Sequence, residues 1–203
     1  MGVIGGLLFS GVREPQRPAL SDLLSHYQEQ KAQDLTRGLS HSKFAEMTED
    51  EIVAELAGWL VFDPLCIDRN AATSHVTQML VEADSVAGLS IKVEGFKITK
   101  TFPFSGNPQL FDLKARIFGY NCPYGKVDGQ KLTIGMEVRE DQTYAAVNHI
   151  KSTIELVERC IASQLPELDE HRAKLPQLLL PLVQKRRKLC SAEFYLKNQL
   201  DAI

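Results

Sequence analysis

The sequence has 203 residues, 44% of them hydrophobic and 24% charged, with a formal net charge of −3. That length suits one domain around one core, and that composition excludes a disordered or fibrous chain. The small negative charge excludes a general attraction to polyanions, so any phosphate binding has to come from a local patch.

The run VIGGLLF at the N-terminus follows no basic residue and is too short for a signal-peptide core or a membrane span. Gly2 is followed at position 6 by Gly rather than Ser or Thr, which fails the myristoylation pattern. Cys66, Cys122, Cys160 and Cys190 are widely spaced with no Cys-x-x-Cys pair, and they read as reduced thiols. A cytoplasmic protein without a membrane anchor, metal or cofactor is expected.

Residues 1–18, which contain Gly and Pro, are expected as a loose or edge-packing arm. Residues 19–203 are expected as a single α+β domain, helical over 19–61, β-rich over 62–140 and helical over 141–203. Leu20, Leu23, Leu24 and Tyr27 recur at helical spacing, and Gly38 is a natural stop for that first helix. Thr48-Glu49-Asp50-Glu51 has the spacing of a capping box. The helix it opens is expected to bury Ile52, Val53, Leu56 and Trp59, ending before Asp63-Pro64.

The period then shortens. HVTQMLVE, LSIKVEGFKITKTFPF, LFDLKARIF and QKLTIGMEV alternate apolar and polar residues and are rich in β-branched and aromatic types, which predicts at least four mostly antiparallel strands. SGNP at 105–108 and VDGQ at 127–130 are the turn candidates, Asp-Gly being a strong hairpin signal. Beyond Arg139 the helical period returns. Val147, Ile150, Ile154, Val157 and Ile161 form an a/d stripe whose register continues through Leu168, Leu175, Leu178, Leu182 and Leu189. Gln164, His171 and Lys185 fall on d positions of that register. Pro166, Pro176 and Pro181 interrupt it, so a helical hairpin packed on the sheet is expected.

No specific catalytic signature occurs: there is no Gly-x-Ser-x-Gly and no Gly-rich phosphate loop. The cationic run Lys185, Arg186, Arg187 and Lys188, with Arg172 and Lys174 as helpers, could neutralise phosphates as a sequence-independent nucleic-acid-binding module. Against this, no aromatic side chain interleaves for base stacking, and cations suit the end of a packing helix. Arg69 and His75 have the loose spacing of a HEPN-like ribonuclease pair. Glu94 with Asp112-Leu113-Lys114 resembles the carboxylates and lysine of a metal-dependent nuclease. The bland alternatives are a polar loop for the first and the solvent face of strands for the second. The stripe Ile150, Ile154, Val157, Ile161 is the candidate partner interface.

FPFSGNPQLFDLKARIFGYNCPYGKVDGQKLTIGMEV and the later LPQLLLPLVQKRRKLC together resemble the N-terminal domain of a widespread group of uncharacterised bacterial proteins. The matching positions are Phe104, Gly106, Pro108, Leu110, Phe111, Pro123, Gly125, Val127, Gly129, Arg186, Arg187 and Leu189, with PLCID at 64–68 as a preceding strand motif. The resemblance covers about residues 50–195, and its motifs are turns and packing positions. In many relatives a restriction-endonuclease-like nuclease domain follows, in architectures that resemble anti-phage systems. This sequence ends at Ile203, ahead of where that domain stands, so the nuclease activity is not carried over and the Asp112-Leu113-Lys114 reading is weakened.

The resemblance implies a non-catalytic regulatory, sensing or assembly domain acting with an effector protein, a nuclease above all, in a bacterial defence or stress-response system. A homo-oligomer and a weak nucleic-acid contact are further expected partners. The double Arg is then the exposed basic end of the domain's last helix.

Overall fold

The computed structural model describes residues 2–9, 19–84, 90–114 and 122–202. Its elements are β1 (Gly2–Val3), β2 (Gly6–Leu7), α1 (Leu20–Arg37), α2 (His41–Glu46), α3 (Glu49–Leu60), β3 (Cys66–Ile67), β4 (Thr73–Asp84), β5 (Ser90–Ser105), β6 (Tyr124–Asp128), β7 (Lys131–Arg139) and α4 (Thr143–Leu200). Short 3-10 helices occupy Pro108–Asp112 and Glu140–Gln142. The fold class is α+β, with an antiparallel sheet and a long C-terminal helix on it.

The single domain expected over 19–203 divides into two compact units. One comprises Met1–Leu20 and Asp63–Leu165, the other Ser21–Phe62 and Pro166–Ile203. The division follows from core partners: residues 21–62 meet theirs in the last part of the chain.

The first unit is the sheet with the first part of α4. β5 lies at its centre, bonded to β7 on one edge and to β4 and β3 on the other, all antiparallel. β6 and β1 pair with the far edge of β7, and β2 with β6. Residues 2–9 are thus tied into the sheet instead of lying loose. The cause is their apolar content: Leu8 and Phe9 are buried, and Phe9 packs at 5.4 Å from the Phe111 ring. On the face that receives α4, alternation in β7 brings in Leu132, Ile134, Met136 and Val138, and β5 adds Phe102 and Phe104. Ala146, Ile150, Ile154, Val157 and Ile161 of α4 are buried with them.

VDGQ makes the expected hairpin turn, with Asp128 paired to Lys131 and Gly129-Gln130 as the loop, Gly129 at φ +55°. SGNP does something else: it leads β5 into the 3-10 helix, which Asn107 caps by accepting from the Gln109 amide at 3.0 Å. The first part of LFDLKARIF is therefore 3-10 helix and not strand, because Pro108 pre-sets a helical φ; residues 115–118 of that run lie outside the described residues. Gly106 sits at φ +97°, where an added Cβ would lie 2.2 Å from the Pro64 carbonyl oxygen. Asn107 N–H donates to Asp63 O at 3.0 Å and β3 pairs with the end of β5. The PLCID and SGNP segments thus form one corner. Gln164, on a polar d position, is buried and its amide donates to Leu110 O at 2.9 Å and Leu113 O at 2.8 Å, closing the carbonyls of the 3-10 turn.

In the second unit, α1, α2, α3 and the later part of α4 bury Ala32, Leu39, Phe44, Ile52, Val53, Leu56, Leu60, Leu175, Leu179, Val183 and Cys190 together. The capping box forms as its spacing predicts: Thr48 N–H donates to Glu51 Oε2 at 2.8 Å and Glu51 N–H to Thr48 Oγ1 at 3.3 Å. The Thr48 N–H and the Thr48 hydroxyl, both donating to the Glu51 carboxylate, hold it below its ordinary pKa. Trp59 is 64% exposed, contrary to expectation, and Leu60 is buried instead. At about 100° per residue the buried arc of α3 centres between Leu56 and Leu60, and Trp59 falls at its edge. His171 meets Gln28 at 3.2 Å in the interior.

The expected hairpin is one helix of 58 residues. Pro166, Pro176 and Pro181 are exposed, and so are Ala162, Arg172 and Gln177, whose carbonyls lose their donors. Each proline removes one bond on the wet side of the helix, where water replaces it, so none forces a turn. A Gly106→Ala substitution is expected to lower unfolding free energy by about 3 kcal/mol, since positive φ and the Pro64 contact add. Thr48→Ala should cost about 1 kcal/mol, both read by urea denaturation.

Candidate docking groove

The basic run does not stand free. Arg186 Nε donates to Leu39 O at 3.1 Å and its Nη1 donates to Glu193 Oε1 at 3.2 Å. Arg187 Nη1 donates to Glu49 Oε1 at 3.0 Å, which with the Gln184 side chain pulls the Glu49 carboxyl below its usual range. Lys185 and Lys188 remain exposed, so two of the four cations are spent inside the second unit.

The stripe proposed as an interface is internal. Ile150, Ile154, Val157 and Ile161 are at most 8% exposed, so they offer a partner little surface. The sequence pattern showed apolar spacing but not that a sheet face of equal width would cover it. Val147, at the head of the stripe, is 56% exposed.

The structure does not gather the enzyme candidates. Arg69 makes a bidentate ion pair with Glu158 of α4, which raises the guanidinium pKa further. His75 lies on β4 with its Nε2 3.0 Å from Thr77 Oγ1. Ser74 and Val76 line the α4 side of the sheet, so alternation turns His75 to the opposite face. Glu94 stands near the start of the sixteen-residue β5 and lines an open recess with Val93, Arg139, Glu140 and Asp141. Asp112 closes the 3-10 helix after the other end of that strand. No cluster of three or more His, Cys, Asp or Glu among the described residues could hold a metal ion. No helix there is long and apolar enough to cross a membrane.

What the first unit does present is a groove of about 420 Å³ between β4, β5 and the start of α4. Phe102, Ile150 and Ile154 form its buried floor, while Val76 and Val147 are its half-open walls. Arg69, Lys100 and Lys151 rim it. Glu158 neutralises Arg69. Lys100 and Lys151 make no ion pair among the described residues, and the Lys100 ammonium lies 5.6 Å from the Phe102 ring centroid. The result is a local positive, apolar trough on a chain of net negative charge. Sequence reading missed it because Lys100, Lys151 and Val76 are brought together by strand pairing and helix packing, not by spacing.

All four cysteines are free. Burial pushes the Cys160 thiol up to about 12, with the nearby Cys122 thiol adding to it, and burial raises Cys122 as well. A thiol reagent at neutral pH is expected to modify exposed Cys66 first and Cys122 more slowly. Buried Cys160 and Cys190 should react at least about a hundredfold more slowly, until the protein unfolds, which mass spectrometry of the time course would read. No family model, curated protein or solved structure matches this chain.

Proposed function

We propose that the chain is a non-catalytic regulatory or assembly domain that docks a segment of an effector protein in the groove between β4, β5 and α4. The observation that carries this reading is the pairing of an apolar floor with two lysines that have no carboxylate partner among the described residues. Burying apolar side chains supplies affinity, and charges at the rim select the partner. The complementary segment holds one or two bulky apolar residues flanked by Asp or Glu. That the effector is a nuclease in a bacterial defence or stress-response system rests on the resemblance of residues 50–195 alone.

Selection of displayed peptides against the full chain is expected to enrich that acidic and apolar pattern. Lys151→Glu should weaken a selected peptide by about tenfold or more, and added salt should weaken it further. Trp59→Ala, on the second unit, should leave the affinity unchanged. Selected peptides without acidic residues, or an affinity indifferent to Lys151→Glu, would sink the reading.

A further inference from the structure

Strands at the edge of a sheet are ordinarily protected against strand addition by lysines, prolines or bulges. The outer edge of β4 has none of these. Among the described residues β4 pairs with β5 alone, in unbroken register from Thr73↔Thr101 to Asp84↔Ser90. From Thr73 to Val81 it carries no Asp, Glu, Lys, Arg or Pro. Val76 and Leu80 on it are 60% and 58% exposed.

We propose that this edge pairs antiparallel with the same edge of a second copy, about a two-fold axis at Gln78, and so joins two sheets into one. This goes beyond the docking of an effector segment: it uses the outer edge of β4 and shares only Ser74, Val76 and Lys100 with the groove. A two-fold axis that continues an antiparallel sheet stands perpendicular to it, so opposed residues share a face and their numbers sum to an even value. With the axis at Gln78, Val76 faces Leu80 of the second copy and Leu80 faces its Val76. With the axis at Thr77 or Met79, Val76 would face Gln78 or Glu82. Only the Gln78 register sets both exposed apolar residues against apolar partners, the pairs that stabilise a sheet.

The charges fit the same register. Glu82 falls opposite Ser74 of the second copy, and Ser74 is paired on its other side with Lys100. Glu82, Ser74 and Lys100 then form one row on one face. Two strand spacings, about 10 Å, separate the carboxylate's backbone from the lysine's, within the joint reach of both side chains over the small serine. Lys100, without an ion pair among the described residues of one copy, gains one, and no like charges are opposed between Ser74 and Glu82. Lys151 is left to the groove.

Sedimentation of the full chain over increasing concentration, up to about 100 μM, should show the mass rising from the 22.7 kDa of one chain towards twice that. Val76→Lys and Leu80→Lys, tested separately and checked for unchanged circular dichroism, should each hold the protein at the single-chain mass. Lys151→Glu should leave the dimer intact, which separates this pairing from effector docking. In a Cys66→Ser background, a short thiol cross-linker should join two copies of Gln78→Cys but not two copies of Ser74→Cys. A single-chain mass at every concentration, a dimer indifferent to both lysine variants, or equal cross-linking at both cysteine positions overturns the proposal.

Discussion

The first unit depends on one strand bonded along both edges. β5 is hydrogen-bonded to β7 from Gly95 to Pro103 and to β4 from Ser90 to Thr101. Its alternation fixes which residues of both neighbours face α4, because a slip of one residue would turn Phe102 and every side chain beside it to the other face. Gly135 of β7 meets this strand closely: a Cβ there would lie 2.4 Å from Ile98 O. The groove inherits its shape from the same register. Val76, Ile98, Lys100 and Ser74 lie together because β4 opposes β5 as it does.

Local signals in the sequence survived folding where the physics is local. The capping box at Thr48 and the hairpin turn at VDGQ need only a few neighbouring residues, and both form. The helix stripe was readable at its start and drifted afterwards. A strict seven-residue repeat departs from a straight α-helix by about 20° each heptad, so over the six heptads from Val147 to Leu189 the buried face moves by roughly one residue. Accordingly Leu179, Val183 and Cys190 are buried, while Leu189 is 49% exposed. The hairpin expectation failed for a related reason. A proline's effect depends on which side of the helix it occupies, and periodicity without a known partner surface does not reveal that.

The charged residues were the least legible part. Four cations in sequence suggested a patch, yet Arg186 and Arg187 serve as structural ties to Leu39, Glu193 and Glu49. Lys100 and Lys151, unremarkable in the sequence, stand beside an apolar surface without an ion pair among the described residues. A charge becomes available through the absence of a nearby counter-charge, and counter-charges arrive from remote parts of the chain. Arg69 makes the point again: its partner Glu158 is 89 positions away.

The second unit is assembled from two separated stretches, and this sets an order on its making. During synthesis Ile52, Val53, Leu56 and Leu60 leave the ribosome with Leu175, Leu179, Val183 and Cys190 of their core still untranslated. Leu175 follows Leu60 by 115 residues, a wait of about 6–23 s at ordinary elongation rates. Through that interval an amphipathic helix pair stands without its cover, while β3 to β7, encoded between, can pair on their own contacts. The nascent chain therefore has a window in which a chaperone, or a neighbouring ribosome's product, meets α1 and α3 before the later part of α4 does.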